Sequence, residues 1–442
     1  MLEKKSIFIL FSNSKTYKEY KYYFPWKLFE SNFNFILAKS NIRAVVESPE
    51  IVFSLNSFVH KLCVFIHYCQ LWQRRRTNIM FDFQMKMYFG KIHKVPSIFW
   101  GLDKRFSYFE KILIRLFSQF HLLSMTKSLC NYLFKLESKK NKIDVSQIYC
   151  FLLPYTGGIT PEWDYLVWLG NKNSIPTIAV QENWDNLSSK MFLFHHPSHF
   201  LTWGGQSSLH LRKFQRFNGE VVEFGSFRIE PFYSIPRAFA NNALSRNFTK
   251  AESLNKILVV GSGNVNNDLV FLEGFTKLRS INPFSPASKL KISYRPHPFV
   301  GTSRQMEFIE RIREINNLEI LSSELFHEQR IQQINESICV ISFYSTVSLE
   351  ALILNKYCIV PEFVISNLSA SINLVDDIPH YSGISKNSNL HVVSSYLHLL
   401  QTIENLLLQS PKYESETLEW FCSNIDTKSK IAKVISDIGS GI

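Results

Sequence analysis

The stretch ICVISFYSTVSLEALILNKYCIVPEF, residues 338–363, decides the fold. An apolar run of strand length leads into the small hydroxyl residues Ser345 and Thr346. An apolar helical run containing Glu350 follows, and YCIVPEF at 357–363 closes the stretch as a second buried strand. Strand, helix and strand in that order make a parallel β/α unit, because parallel neighbours need a crossover and its helix covers the sheet. Working outward, KILVVGSG at 256–263, LKISYRPHP at 290–298 and LEILS at 318–322 read as further strands. Helical periods near 268–281, 303–316, 325–336 and 346–355 separate them, so this half of the chain is predicted to be a doubly wound α/β domain with five strands.

The first half repeats the rhythm. IFILF at 7–11, RAVVES at 43–48, IYCFLLP at 148–154 and TIAVQ at 177–181 read as buried strands followed by turn chemistry. The clearest amphipathic stretch, 106–140, has apolar positions at three- and four-residue spacing and a basic far side; it reads as one helix or a helix pair over the sheet, with a basic surface suited to anionic lipid. The polar stretch 234–255 lacks a hydrophobic period and marks a linker. The expected domains are an N-terminal Rossmann-like domain at 1–235, a linker at 236–255, and a second Rossmann-like domain at 256–405. A helical tail at 406–442 can pack back on the first domain.

A chain of 442 residues with 45% apolar and 19% charged residues is long and apolar enough for several buried cores, which excludes a disordered or collagenous chain. Its 49 Lys and Arg against 37 Asp and Glu, a formal charge of +12, favour anionic partners: nucleotides, nucleic acid or an acidic membrane surface. The charge is dispersed, and no zinc-finger spacing or RNP-type aromatic motif is present, which argues against nucleic acid. Seven cysteines with no CxxC pair fit reduced thiols in a cytosolic protein. MLEKKSIFILF at 1–11 reads as a first buried strand, and no segment reaches the ~18 uninterrupted apolar residues of a membrane span.

The chemistry is expected at the carboxyl ends of the strands, the ligand edge of open α/β sheets. Backbone N–H groups where Ser345 and Thr346 begin a helix suit a phosphate, and Glu350 lies about one turn further in, where a carboxylate can accept from ribose hydroxyls. In Tyr294-Arg295-Pro296-His297-Pro298, two prolines hold Arg295 and His297 extended past a strand end, offering a forked cation and a hydrogen-bond donor. Gly261 and Gly263 let backbone approach a ligand closely. Glu182 and Asp185 follow the strand TIAV at the ligand edge of the first half. Glu182 is the candidate base; Asp185 is either a second candidate or a helix cap. His195-His196-Pro197-Ser198-His199 does not read as a metal site, because adjacent histidines on an extended segment point to opposite sides. Arg74-Arg75-Arg76 reads as a solvated helix end or an anionic-lipid contact.

RPHP at 295–298, STVSLEALILNKYCIVPEF at 345–363, QENWDNLSSK at 181–190, FLTWGGQ at 200–206 and VVEFGSFRIEPF at 221–232 together resemble the GT-B glycosyltransferases of the bacterial surface-polysaccharide group. That group takes in the HP-motif sialyl- and Kdo-transferases and the CDP-glycerol glycerophosphotransferases. Where it carries a glycine before the last strand, this chain has Asn355-Lys356-Tyr357.

The resemblance implies two Rossmann-like domains facing across a cleft, an acceptor domain at 1–235 and a nucleotide-sugar domain at 256–405, and a metal-independent, cofactor-free enzyme. Arg295 and His297 would meet the donor phosphate, Ser345 and Thr346 would hold phosphate at the helix start, and Glu350 would bond the nucleotide's sugar. The implied reaction moves a sugar from a nucleotide-sugar donor to a surface-polysaccharide or lipid-linked glycan acceptor, at the inner face of the membrane. A CDP-linked polyol-phosphate transferase, a UDP-sugar 2-epimerase and a non-catalytic nucleotide-sugar-binding subunit are the alternatives.

Overall fold

The computed structural model describes residues 4–12, 14–40, 51–77, 81, 107–140, 143–158, 160–190, 192–234, 255–262, 265–297, 302–315, 317–322, 327–343, 345–365 and 378–440. The chain divides into two compact units, the first holding the described residues up to 81, from 107 to Glu230 and from Glu419 to 440, the second running from Pro231 to Leu418. The linker expected at 236–255 and the strand expected at 43–48 lie outside the described residues, apart from position 255.

The first unit is built on seven strands: β1 (Ser6–Phe11), β2 (Asn34–Ser40), β3 (Ile51–Phe53), β4 (Ile148–Tyr155), β5 (Thr177–Gln181), β6 (His199–Thr202) and β7 (Glu220–Glu223). Their order is β3-β2-β1-β4-β5-β6-β7 and each described pairing is parallel. Both faces are covered, which is why SIFILF and IYCFLLPY are apolar almost throughout instead of alternating. Phe8 and Leu10 face one core with Phe151 and Leu153. Ile7, Ile9 and Phe11 face the other with Cys150 and Leu152, the two-residue period of a strand.

The helices Ser57–Arg74, Phe120–Lys140 and Pro161–Lys172 supply side chains to the first core. The second is closed by Tyr20, Phe24 and the C-terminal helix Thr427–Ser440 through Ile431, Val434 and Ile435. The stretch 106–140 is two helices, Tyr108–Phe117 and Phe120–Lys140. A capping box of Ser107 and Glu110 starts the first. Ser118, whose hydroxyl bonds back to the Ile114 carbonyl and reaches the Cys69 carbonyl at 3.1 Å, ends it.

Among the described residues the second unit has six parallel strands: β8 (Lys256–Val260), β9 (Lys291–Arg295), β10 (Leu318–Ile320), β11 (Cys339–Ser342), β12 (Tyr357–Pro361) and β13 (Leu390–Val393). Their order is β10-β9-β8-β11-β12-β13. The sixth, LHVV, escapes a sequence reading because it is short, polar at His391 and only partly buried in its middle. Asn355, standing where the resembled group carries glycine, takes the left-handed conformation at φ 55°, which asparagine tolerates better than most residues. In both sheets the chain winds outward to one side of a central strand, then restarts on the other side, so β1/β4 and β8/β11 are switch points.

Ile435 is fully buried in the core shared with Ile7 and Leu152, whereas Leu408 is 88% exposed. Ile435→Ala is expected to cost about 2–5 kcal/mol and Leu408→Ala no more than about 0.5 kcal/mol, read as shifts of the urea midpoint at unchanged slope.

Candidate functional site

The carboxyl edge of the second sheet gathers most of the residues singled out in that half. Parallel register sets Val260 of β8 opposite Arg295 of β9 on one side and Ser342 of β11 on the other. At about 4.8 Å per strand, Arg295 and Ser342 thus flank the start of the Gly261 loop at the β8/β11 switch point. Gly261 donates its N–H to the Arg295 carbonyl at 2.8 Å. A Cβ on Gly261 would lie 2.6 Å from the Tyr294 hydroxyl and 2.9 Å from both the His297 nitrogen and Asp268 Oδ2, so only glycine lets loop and RPHP segment approach this closely.

Asp268, which the sequence reading missed, holds this edge together. Its buried carboxylate accepts from the Ser262 N–H at 2.9 Å, the Ser262 hydroxyl at 2.5 Å and the Tyr294 hydroxyl at 2.8 Å. Burial and the Asp268 charge push the Tyr294 phenol well above its ordinary range. The available signal was an acidic residue in the first turn of the helix Val265–Ile281, after a glycine loop. Arg295 is buried and its Nη1 donates to Gln333 Oε1 at 3.2 Å; His297 is half-buried. Gly263 lies outside the described residues.

Ser345 caps the helix Thr346–Ile353, its hydroxyl oxygen accepting from the Val347 N–H at 3.3 Å and lying 2.8 Å from that of Ser342. Tyr381 braces the same turn, donating to the Ser345 carbonyl at 2.9 Å. Glu350 does not stand open at the edge as the ribose contact expected of it. The carboxylate is wholly buried and bonded to Arg330, because the helix turns it inward onto the neighbouring helix His327–Asn335.

In the first unit, Glu182 follows β5 and donates its N–H to the Tyr155 carbonyl at 3.1 Å. It lines a shallow pocket with Tyr20, Ser226 and Arg228. Burial, with the Glu182 charge adding to it, drives the Tyr20 phenol well above its usual range. Asp185 sits at the start of the short helix Asn186–Ser189, 3.0 Å from Lys190 Nζ and 2.8 Å from the Ser189 hydroxyl, contacts that fix the turn.

Each histidine of the 195–199 run has its own partner: His195 meets Asn131 at 2.9 Å, His196 meets Asn218 at 3.2 Å and His199 meets Glu220 at 3.2 Å. Among the described residues, no group of three His, Cys, Asp or Glu is placed to hold a metal. Arg74 and Arg75 are engaged within the unit, Arg74 with the Phe214 carbonyl and the Phe192 ring, Arg75 stacked 3.8 Å over Trp72. Only Arg76 of that trio stands exposed, so the basic helix end expected there is reduced to one residue by its neighbours' burial.

At the β1/β4 switch point lies a pair that the sequence reading also missed. His67 Nε2 is 2.6 Å from Asp164 Oδ2, both side chains are buried, and both line a small cavity at the end of β4.

No family model matches the chain, and no curated protein matches it in sequence. Solved structures do match in shape. A UDP-GlcNAc 2-epimerase from Methanocaldococcus jannaschii aligns over 98% of this chain and 100% of its own, with a TM-score of 0.51 and 11% identity. The same organism's enzyme in complex with UDP-GlcNAc and UDP gives 98%, 99%, 0.51 and 12%. A putative UDP-N-acetylglucosamine 2-epimerase from Listeria monocytogenes gives 99%, 97%, 0.50 and 9%. At such identities the likeness shows the fold, a GT-B arrangement of two Rossmann-like doubly wound units.

Tyr294→Phe is expected to cost about 1.5–3 kcal/mol, the range for a hydrogen bond to a charged group. Gly261→Ala should cost about 1–3 kcal/mol by overpacking. Since both disturb the same contact, the double variant should lose less than the sum in urea unfolding.

Proposed function

We propose that this chain is an enzyme acting on a nucleotide-activated sugar, with the nucleotide's phosphates held at the carboxyl edge of β8, β9 and β11. The observation that carries this reading is the register that sets Arg295, the Gly261 loop and the Ser342–Ser345 turn side by side at a switch point. A buried guanidinium positioned by Gln333 offers a permanent positive charge, and the first turn of the helix Thr346–Ile353 adds the positive end of its dipole. His297, half-buried beside Gly261, is the candidate to donate to the phosphate or to protonate an oxygen leaving with it. Glu182, bordered by Arg228, is the candidate carboxylate of the first unit, and Asp185 is assigned to the turn that presents it.

Likeness in shape to structures described as UDP-GlcNAc 2-epimerases favours a reaction that changes the configuration of a nucleotide-activated sugar. Transfer to an acceptor hydroxyl is the second reading, favoured by the small cavity at the β1/β4 edge that His67, Asp164, Thr156 and Thr160 line among apolar side chains. Free nucleotide sugar altered in its stereochemistry would identify the first, and a lengthened acceptor glycan the second. UDP, CDP, GDP and CMP tested by thermal shift should give a rise for at least one, since a ligand of the folded state raises apparent stability. Arg295→Ala should weaken that nucleotide about tenfold or more, ~1.4 kcal/mol. No response to any of the four would overturn the reading.

The helix pair 108–140 adds an anionic membrane surface as partner. Tyr108, Phe109 and Phe120 are 80%, 67% and 74% exposed, and Ile112, Leu116, Met125 and Leu129 extend the apolar face. Six Lys and Arg stand in this segment against Glu110 and Glu137. Aromatic side chains beside basic ones fit the headgroup region of an anionic bilayer. Among the described residues no helix is long and apolar enough to cross a membrane. Co-sedimentation with phosphatidylglycerol vesicles should exceed that with phosphatidylcholine and fall with salt. It should drop severalfold in a Tyr108→Ser, Phe109→Ser, Phe120→Ser variant whose melting is unchanged.

A further inference from the structure

We propose that the carboxyl edge of β4 in the first unit is a second ligand site, which takes a hydroxyl group of a sugar or polyol against the His67–Asp164 pair. The inference goes beyond the nucleotide reading and uses residues of the first unit alone.

His67 comes from the helix Ser57–Arg74 and Asp164 from the helix Pro161–Lys172. The 2.6 Å contact between Nε2 and Oδ2 is a hydrogen bond in which an ionised carboxylate accepts from a proton on Nε2. In the neutral imidazole Nδ1 then keeps a lone pair. The atom is buried and has no hydrogen-bond partner among the described residues. A buried acceptor without a donor is destabilising, and here a cavity with room for about one water molecule adjoins it. A hydroxyl group is the size of that water and supplies the missing donor.

The rest of the wall fits the same class of ligand. The buried rings of Trp163, Tyr155 and Phe192 wall the cavity, while Thr156 and Thr160 line it with hydroxyl-bearing side chains suited to a second hydrogen bond with the entering group. Thr160 stands at the start of its helix yet makes no side-chain cap bond, which leaves its oxygen to the cavity. Ser12, at the end of β1, reaches Thr156 at 3.4 Å, so the cavity lies on the β1/β4 switch point. A second His–carboxylate contact between the same helices, His60 with Glu162 at 3.4 Å, ties them together without bordering this cavity. Lys127 and His195, on other segments, also act electrostatically on Asp164.

The chemistry available is proton acceptance. A ligand O–H donates to His67 Nδ1; on full transfer the proton rests on Nδ1, the oxygen keeps the electron pair, and the imidazolium is balanced by Asp164.

The test uses the full chain labelled with 15N-histidine, titrated with glucose and, separately, with glycerol. His67 is assigned through His67→Gln or, should that variant fail to fold, by through-bond correlation in the unaltered chain. The expected result is an unprotonated Nδ1 in the free protein that moves saturably on addition of a hydroxyl ligand. A response to glucose alone identifies a sugar, to glycerol alone a polyol, and to both a site reading a single hydroxyl. Thr160→Val, which leaves the buried pair intact, should weaken the half-saturation about fivefold, as for loss of one hydrogen bond. A protonated Nδ1, or no movement with either probe, overturns the inference. Binding of UDP, CDP, GDP and CMP followed in the same samples keeps the two proposals separate: a nucleotide bound with His67 unmoved by glucose and glycerol sinks only this one, and His67 moved with none of the four bound sinks only the nucleotide reading.

Discussion

Parallel pairing of one central strand on both sides is the constraint from which the rest of each unit follows. A strand buried between two neighbours must satisfy its N–H and C=O groups laterally, so β8 is bonded along its length to β9 and β11. Those neighbours are reached by chain running in opposite senses around the sheet. The loops leaving their carboxyl ends therefore diverge, and the backbone at the gap is free to meet a ligand. Arg295, Gly261 and Ser345 share a neighbourhood because of this register, and not through proximity in sequence.

Polar groups buried near the two edges do different jobs. Asp268 is saturated by Ser262 and Tyr294, so it behaves as a rivet that fixes the Gly261 loop against β9. Glu350 is bound to Arg330, whose guanidinium also lies over the Phe232 ring. That pair joins two helices, and its burial makes the loss of either partner costly. At His67–Asp164 one ring nitrogen has no hydrogen-bond partner among the described residues, and a cavity stands beside it.

The parts of the molecule legible in its sequence were those with strong local pattern. CVIS and YCIVP are uniformly buried, so their apolar runs stand out against the polar segments around them. The helix starting after Ser345 announces itself by its cap. β13 and β2 lack that contrast: LHVV is interrupted by a histidine, and NFILAKS is largely half-exposed. Asp185 could be read from sequence as catalytic or capping; its side chain makes no cap bond and instead meets Ser189 and Lys190, a contact that no local pattern announces. Arg74 and Arg75 read as free positive charge, yet each found an aromatic face and a carbonyl close by.

By itself, the sequence determined the α/β class, the strands that hold most of the named edge residues and the glycine loop after β8, because these depend on hydrophobic period, capping and backbone freedom within a few residues. Tertiary structure alone decided which buried charges meet. His67 and Asp164 lie 97 positions apart and Tyr294 and Asp268 lie 26 apart, and no local pattern encodes such separations. The difference is physical: a helix or strand is specified by neighbours along the chain, whereas a buried hydrogen bond between two helices is specified by how the sheet beneath them stacks and twists.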